Sequence, residues 1–162
     1  MTRLAPQALS FADSAPWTFD MVGTIDAPVD RVWATFTDNA SWANWFDGCT
    51  SCESTSSPAD GIGSTRTIRV SGLKVDERFI AWEPQRLWAF TVINLRPVGL
   101  AISMVERATF SELGGTHTRI DYRVAIAPRL WARPLRKIIA NRLSAAFESS
   151  FRKLNAHLLA TS

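Results

Sequence analysis

Apolar residues recur every three or four positions in the C-terminal part of the chain. Steps of three and four place side chains on one face of an α-helix. Between 134 and 159 the apolar positions are Leu135, Ile138, Ile139, Leu143, Ala146, Phe147, Phe151, Leu154 and Leu158. The pattern therefore predicts one long C-terminal helix that buries a single apolar stripe.

The segment before this helix has a period of two instead. From 116 to 126, threonine and apolar residues alternate with charged residues and His117. Such alternation predicts a β-strand with one buried face and one solvated face. Residues 17–25 alternate in the same way and predict the first strand. That strand ends before Pro28, because proline cannot donate a hydrogen bond to a neighbouring strand.

Two short helices and a series of strands are predicted between these segments. Apolar residues at helical spacing predict one helix from about 29 to 36 and a second over 40–46. From 49 to 127, strand-like segments separated by turn residues predict about six strands, and Ser71-Gly72 predicts a hairpin turn. The long helix can bury its stripe only against the inner face of this sheet.

The predicted fold class is α+β. It consists of a curved seven-stranded antiparallel sheet wrapped around the long C-terminal helix, with two short helices after strand 1. Residues 1–15 are expected to form a flexible N-terminal lead-in, and 16–162 a single domain. A chain of this length buries enough surface to fold without disulfides or metal ions.

Several stretches of the chain are similar to landmarks of a known superfamily. The string IDAPVDRVWATFTD, followed by WANWF, resembles the opening of the START-type helix-grip superfamily, also called SRPBCC. The segments ERFIAWEPQRLWAF and FSELGGTHTRIDY, and Gly61-x-Gly63 before a strand, are similar to its later landmarks. This superfamily includes polyketide cyclase/dehydrase, lipid-transport-like and birch-pollen-allergen-like proteins. The resemblance implies a cavity under the long helix that takes lipids, sterols, polyketides or plant metabolites.

The predicted function is binding or transport of a hydrophobic small molecule such as a lipid, an isoprenoid or a polycyclic metabolite. Seven tryptophans agree with this reading, because ligand cavities are lined mainly by apolar and aromatic side chains. The candidate ligand-binding residues are Trp17, Phe19, Met21, Phe36, Trp45, Trp88, Phe90, Val92, Met104, Tyr122, Leu143, Phe147 and Phe151.

Three residues are candidates for acid–base chemistry, and the sequence leaves open whether any reaction is catalysed. Tyr122 is the only tyrosine and lies on the apolar face of its strand. Glu77 and Glu106 lie in mid-strand, where an inward carboxylate would have a raised pKa. Pairing of either glutamate with Arg69, Arg78 or Arg107 on a neighbouring strand is the structural alternative. An aromatase/cyclase-type enzyme using the same cavity is the alternative function.

No cofactor or metal is expected. Cys49 and Cys52 occur in a Ser/Thr-rich stretch, and the two histidines, His117 and His157, show no partner spacing for a zinc site. A redox pair would be expected to begin a helix after a strand, which this stretch does not. The two cysteines are therefore interpreted as incidental thiols.

Charge is unevenly distributed along the chain. Residues 128–162 carry seven basic side chains and one acidic side chain, whereas the rest of the chain is net acidic. A third hypothesis is therefore a protein-interaction or membrane-surface module, which would require an exposed apolar patch beside Arg129, Trp131 and Arg133. No nucleic-acid partner and no transmembrane segment are expected. The expected location is cytoplasmic, as a monomer or homodimer with at most transient membrane-surface contact.

Overall fold

The structure is a computed structural model that describes residues 1–97 and 99–162. The elements are β1 (Thr2–Arg3), α1 (Phe11–Ser14), β2 (Trp17–Ile25), α2 (Val29–Thr37), a 3₁₀ turn (Asn39–Ser41), α3 (Trp42–Trp45), β3 (Cys49–Ser54), β4 (Thr65–Val70), β5 (Leu73–Glu83), β6 (Leu87–Arg96), β7 (Ala101–Leu113), β8 (His117–Pro128), a second 3₁₀ segment (Leu130–Leu135) and α4 (Arg136–Ala160). Among the residues described, no helix is both long and apolar enough to cross a membrane.

The sheet is antiparallel, and its strands follow the order β2-β8-β7-β6-β5-β4-β3. The first and last long strands are neighbours, with Trp17 opposite Ile126 and Ile25 opposite Thr118. The short strand β1 pairs with the end of β6 and adds an eighth strand off this path. The predicted helix-grip fold is confirmed: a curved sheet, short helices after its first long strand and one long C-terminal helix.

The N-terminal residues lie against the sheet. Leu4 is buried in the main core, and Ala12 packs on Val105 and Ala125 on the outer face. Asp13 accepts hydrogen bonds from the guanidinium groups of Arg107 and Arg123. The expected flexibility of residues 1–15 stays a prediction, and the structure gives the surface on which they rest.

Helix α4 is buried along only part of its length. Phe147, Phe151, Leu154 and Leu158 are buried, but no residue from 136 to 146 is. Ile138, which the periodicity assigns to the buried stripe, is 53% exposed. The prediction of one buried stripe is therefore wrong for the N-terminal half of the helix.

The polar contacts of α4 explain this asymmetry, because they all belong to its C-terminal half. Ser150 accepts a hydrogen bond from the backbone N–H of Asp47, and Lys153 pairs with the carboxylate of the same residue. Asn155 accepts from the backbone N–H of Asp26 and so ties the helix to the end of β2. The N-terminal half has no comparable tie among the residues described, and it rests on half-buried side chains.

A close approach of β2 to α4 requires glycine at position 23. A β-carbon at Gly23 would lie 2.5 Å from Cδ2 of the Phe151 ring, well inside van der Waals contact. The ring occupies the space that any other residue would fill. This contact holds the buried half of α4 close to the edge strand.

Gly23→Ala is expected to lower the free energy of unfolding by about 1–3 kcal/mol, because the new methyl group must displace a packed ring. In the background of Phe151→Leu the same change should cost clearly less, since the smaller side chain leaves room. Urea unfolding of the two single variants and the double variant measures this coupling. Val22→Ala, at the exposed neighbouring position, is the control; equal effects of Gly23→Ala and Val22→Ala would contradict the proposed contact.

Candidate ligand-binding site

The structure brings all the predicted ligand-binding residues into one apolar cluster between the sheet, the short helices and α4. Met104 and Leu143 are half-buried at its margin. The buried members are Trp17, Phe19, Met21, Phe36, Trp45, Trp88, Phe90, Val92, Tyr122, Phe147 and Phe151. Whether these side chains contact a ligand stays a prediction.

The cluster is densely packed under α2 and α3. Phe36 lies 5.0 Å from Trp45 and 5.6 Å from Trp88, measured between ring centroids. Trp42 lies 4.7 Å from Trp45 and stacks on Trp88 at 5.7 Å. Aromatic rings at these distances fill the space between them, so this end of the cluster forms core.

The other end of the cluster, under the N-terminal half of α4, is less tightly closed. Met104 points inward from β7, yet it is only half-buried. Ile139 and Leu143, on the facing side of α4, are also half-buried. The guanidinium carbon of Arg136 lies 5.5 Å from the centroid of the Phe19 ring. Apolar inner-face surface is therefore accessible at this end.

A hydrogen-bonded pair, Tyr122 and Glu106, lies on the inner face of the sheet. The strands β7 and β8 place Tyr122 opposite Ala108 and Glu106 opposite Val124, so both side chains point inward. The Tyr122 hydroxyl donates to Oε2 of Glu106. The Tyr122 ring packs on Phe147 of α4 at a centroid distance of 4.4 Å. Tyr122 thus lies on the apolar face, as the alternation along its strand predicts, and Glu106, whose orientation the sequence leaves open, lies on the same face.

Burial decides the charge state of this pair. It raises the pKa of Glu106 to about 8, the nearby carboxylate of Glu77 acts in the same direction, and the hydrogen bond from Tyr122 opposes the shift. Burial and the Glu106 carboxylate raise the pKa of Tyr122 well above its usual value. Both groups are therefore mainly protonated at neutral pH, and the pair is polar without carrying a net charge.

Glu77 forms a buried ion pair with Arg66, at 2.6 Å between Oε2 and Nε. Both side chains are almost completely shielded from solvent. Burial raises the pKa of Glu77, and the guanidinium of Arg66 opposes that shift. The expected alternative partners, Arg69, Arg78 and Arg107, do not pair with Glu77, because none of them lies opposite it on the inner face.

Arg66 is the main residue that sequence reasoning missed. A signal for it existed: a two-residue turn at Ser71-Gly72 sets Val70 opposite Leu73, and counting back along both strands sets Arg66 opposite Glu77. Arg66 and Ile68 are two positions apart and therefore share one face of β4. Because arginine is rarely buried, this spacing alone does not predict that Arg66 points inward.

Aromatic rings surround the Arg66 guanidinium. Its carbon lies 4.2 Å from the ring centroid of Trp42 and 4.9 Å from that of Trp88. Nη1 donates to Oδ1 of Asn39 at 3.2 Å. Within the described part of the chain, Nη2 of Arg66 and Nε1 of Trp88 are buried donors without an acceptor. The site thus combines aromatic walls with one ion pair and unused donor capacity.

Cys49 and Cys52 are buried, and neither forms a disulfide. Burial raises the pKa of Cys52 to about 12 and outweighs the opposing effect of Arg66. Burial also raises the pKa of Cys49. Both thiols are therefore protonated at neutral pH and are poor nucleophiles. Across residues 1–97 and 99–162, no three His, Cys, Asp or Glu side chains cluster in a metal-binding arrangement.

Solved structures with the same fold include proteins of different activities. A START superfamily protein from Mycobacterium smegmatis superposes with a TM-score of 0.72 at 10% identity, covering 90% of this chain and 99% of that one. The protein Ara h 8.0201 gives a TM-score of 0.72 at 13% identity, covering 89% and 98%. The ZhuI aromatase/cyclase of Streptomyces sp. R1128 gives 0.65 at 16% identity, covering 90% and 92%. At these identities the likeness concerns the fold alone.

The sequence comparisons are more specific. An uncharacterised protein of Mycobacterium tuberculosis is 31% identical over 94 residues, which is 56% of each chain. The match thus spans about half the length of that curated relative. The family model for polyketide cyclase / dehydrase and lipid transport proteins matches residues 16–159. Because this match covers nearly the whole chain, the protein belongs to the polyketide cyclase / dehydrase and lipid transport family.

Proposed function

We propose that the protein binds a hydrophobic small molecule that carries an uncharged polar group, held under the N-terminal half of α4. One observation carries the proposal: inward-facing apolar side chains at this end, including Met104 and Leu143, are only half-buried. Apolar surface that the fold itself leaves partly accessible gains free energy when a ligand covers it. The family, whose members include lipid-transport proteins, supports this class of ligand.

The charge states of Glu106 and Glu77, on the inner face of the sheet, argue for an uncharged ligand. Glu106 is mainly protonated at neutral pH because of burial, and Glu77 is already paired with Arg66. A protonated Glu106 hydrogen-bonded to Tyr122 can donate to, or accept from, a carbonyl or hydroxyl group. An anionic ligand would lose its hydration in an apolar site whose buried cation, Arg66, is already paired with Glu77, which is unfavourable. The proposed ligand therefore pairs an apolar body with a carbonyl or hydroxyl.

The first test asks whether a larger side chain at position 143 excludes a ligand from the proposed site. Leu143→Trp should fill the proposed space and weaken binding of the neutral fluorophore phenylnaphthylamine by about tenfold or more, equal to about 1.4 kcal/mol. Ile138→Trp adds the same ring to an exposed position of the same helix and is the matched control. Fluorescence titration compares the two variants with the wild type. Equal affinity for all three proteins would contradict a site under this half of the helix.

The protonation of Glu106 gives a pH-dependent prediction. In the folded protein its pKa is about 8, whereas the ordinary value is 4.5, so between these values the folded state binds more protons than the unfolded chain. The free energy of unfolding must then fall as pH rises through this window and level off above it. In Glu106→Gln the side chain cannot ionise, so the variant should gain stability relative to the wild type between pH about 4.5 and about 8.

Urea unfolding at several pH values across this window measures that difference. Glu112→Gln, at an exposed position near the end of the same strand, is the control and should follow the wild-type curve. Parallel curves for Glu106→Gln and the wild type would mean that Glu106 is ionised in the folded protein, and the argument for an uncharged ligand would fail.

Acid–base catalysis, as in an aromatase/cyclase, is the second candidate function. The observation in its favour is the direct hydrogen bond between Tyr122 and Glu106, which links two titratable groups inside an apolar site. A carboxyl group with a pKa of about 8 is suited to exchange protons near neutral pH. The charge of the nearby Glu77 helps to keep the Glu106 carboxyl protonated and able to donate a proton.

Tyr122→Phe distinguishes binding from catalysis. If the protein only binds, the affinity for phenylnaphthylamine should barely change, and that for a carbonyl-bearing ligand should fall by about 0.5–1.5 kcal/mol for the lost hydrogen bond. If the hydroxyl donates a proton in a reaction, cyclisation of a polyketone thioester should slow about 10²–10⁴-fold with little change in ligand affinity. Mass spectrometry of the products measures turnover, and absence of any cyclised product from the wild type would exclude the catalytic alternative for that substrate.

A further inference from the structure

Three large apolar side chains are exposed at the start of the C-terminal helix, and they form what we call the 130–138 patch. Leu130 is 74% exposed, Trp131 is 55% exposed and Ile138 is 53% exposed. In the 3₁₀ segment that precedes α4, Ala132 is buried, whereas Leu130 and Trp131 are exposed to solvent. Large apolar side chains exposed this close together in sequence, including a tryptophan, are typical of an interaction surface.

Cations border the patch. Arg133, Arg136 and Lys137 are exposed, and the chain contains no aspartate or glutamate from 122 to 147. Within the described residues none of these three cations forms an ion pair. The surface therefore carries positive charge that the fold does not neutralise.

Arg133, Arg136 and Lys137 lie at the N-terminal end of α4, where positive charge is unfavourable. The N-terminus of a helix carries partial positive charge and is stabilised by acidic side chains, yet the first turn of α4 contains no acidic residue. Arg136 and Lys137 thus add to the potential of the helix N-terminus. The sequence thus departs from the usual preference for acidic residues at a helix N-terminus, and such a departure indicates a functional constraint on this surface.

We infer that the 130–138 patch docks on an anionic lipid surface. Tryptophan and aliphatic side chains enter the boundary between headgroups and acyl chains, and the bordering cations meet the lipid phosphates. Arg136, one of the bordering cations, lies over the Phe19 ring at the less tightly closed end of the apolar cluster. This inference rests on the proposed function in one respect: an apolar ligand can pass between bilayer and protein with little exposure to water.

Flotation with lipid vesicles tests the inference on the full chain. The protein should associate with vesicles that contain phosphatidylglycerol in phosphatidylcholine, and much less with phosphatidylcholine alone. Arg133→Glu combined with Lys137→Glu should weaken association about 30-fold or more, since each cation near an anionic surface contributes a factor of about five. Leu130→Ser combined with Trp131→Ser should weaken it as well, and added salt should weaken the wild type.

Matched controls change charge and apolar surface elsewhere. Arg69→Glu combined with Arg78→Glu makes the same charge change at exposed positions of β4 and β5, and Ile62→Ser removes an exposed apolar side chain. Both should bind vesicles far better than the patch variants. Equal loss in patch and control variants would overturn the inference, because it would mean that only net charge matters. No association of the wild type with anionic vesicles would also overturn it and would favour an acidic protein as the partner.

The vesicle test is independent of the ligand. The patch variants leave Leu143 and Glu106 unchanged, so they should bind phenylnaphthylamine in solution like the wild type. Vesicle association that survives Leu143→Trp would support docking even if the proposed ligand site fails. Loss of fluorophore binding in the patch variants would instead indicate that these substitutions disturb the fold.

Discussion

The buried ion pair between Arg66 and Glu77 constrains the rest of the interior. Removing either partner would leave an uncompensated charge among aromatic rings, at a cost of about 3–5 kcal/mol. The guanidinium ties β4 to β5, rests on Trp42 of α3 and bonds Asn39 before that helix. The ion pair also affects Glu106, because the negative charge of Glu77 raises the pKa of the Glu106 carboxyl and helps to keep it protonated. One pair of charges thus links the sheet, the short helices and the candidate ligand site.

The long helix divides the interior into a closed part and an accessible part. Gly23 allows Phe151 to approach the edge strand, and Asn155 ties the C-terminal half of the helix to the end of β2. The N-terminal half carries half-buried Leu143 on one side and uncompensated cations on the other. Anchoring at one end and looser packing at the other give the two halves of the helix different local stabilities.

Most of the fold could be predicted from the sequence, because period-two and period-3.6 patterns report directly which face is buried. The inward orientation of Tyr122 followed from the same alternation, whereas the sequence leaves that of Glu106 open. The exposure of Ile138 could not be predicted, since a helical stripe shows which residues share a face and says nothing about how far the sheet extends beneath it. The register that sets Arg66 opposite Glu77 could be counted from the hairpin turn, but the aromatic rings that enclose the guanidinium could not be predicted, because they depend on how α3 packs on the sheet.

The pairing of β2 with β8 has a consequence for how the chain folds. Trp17 is opposite Ile126, so the first long strand finds its partner only after more than a hundred residues have been synthesised. Until then the apolar face of β2, with Phe19 and Met21, has neither a neighbouring strand nor α4 to cover it. Closing such a long loop is slow, and an unpaired apolar strand is prone to aggregate while it waits. The nascent chain is therefore expected to depend on chaperones until β8 and α4 have left the ribosome.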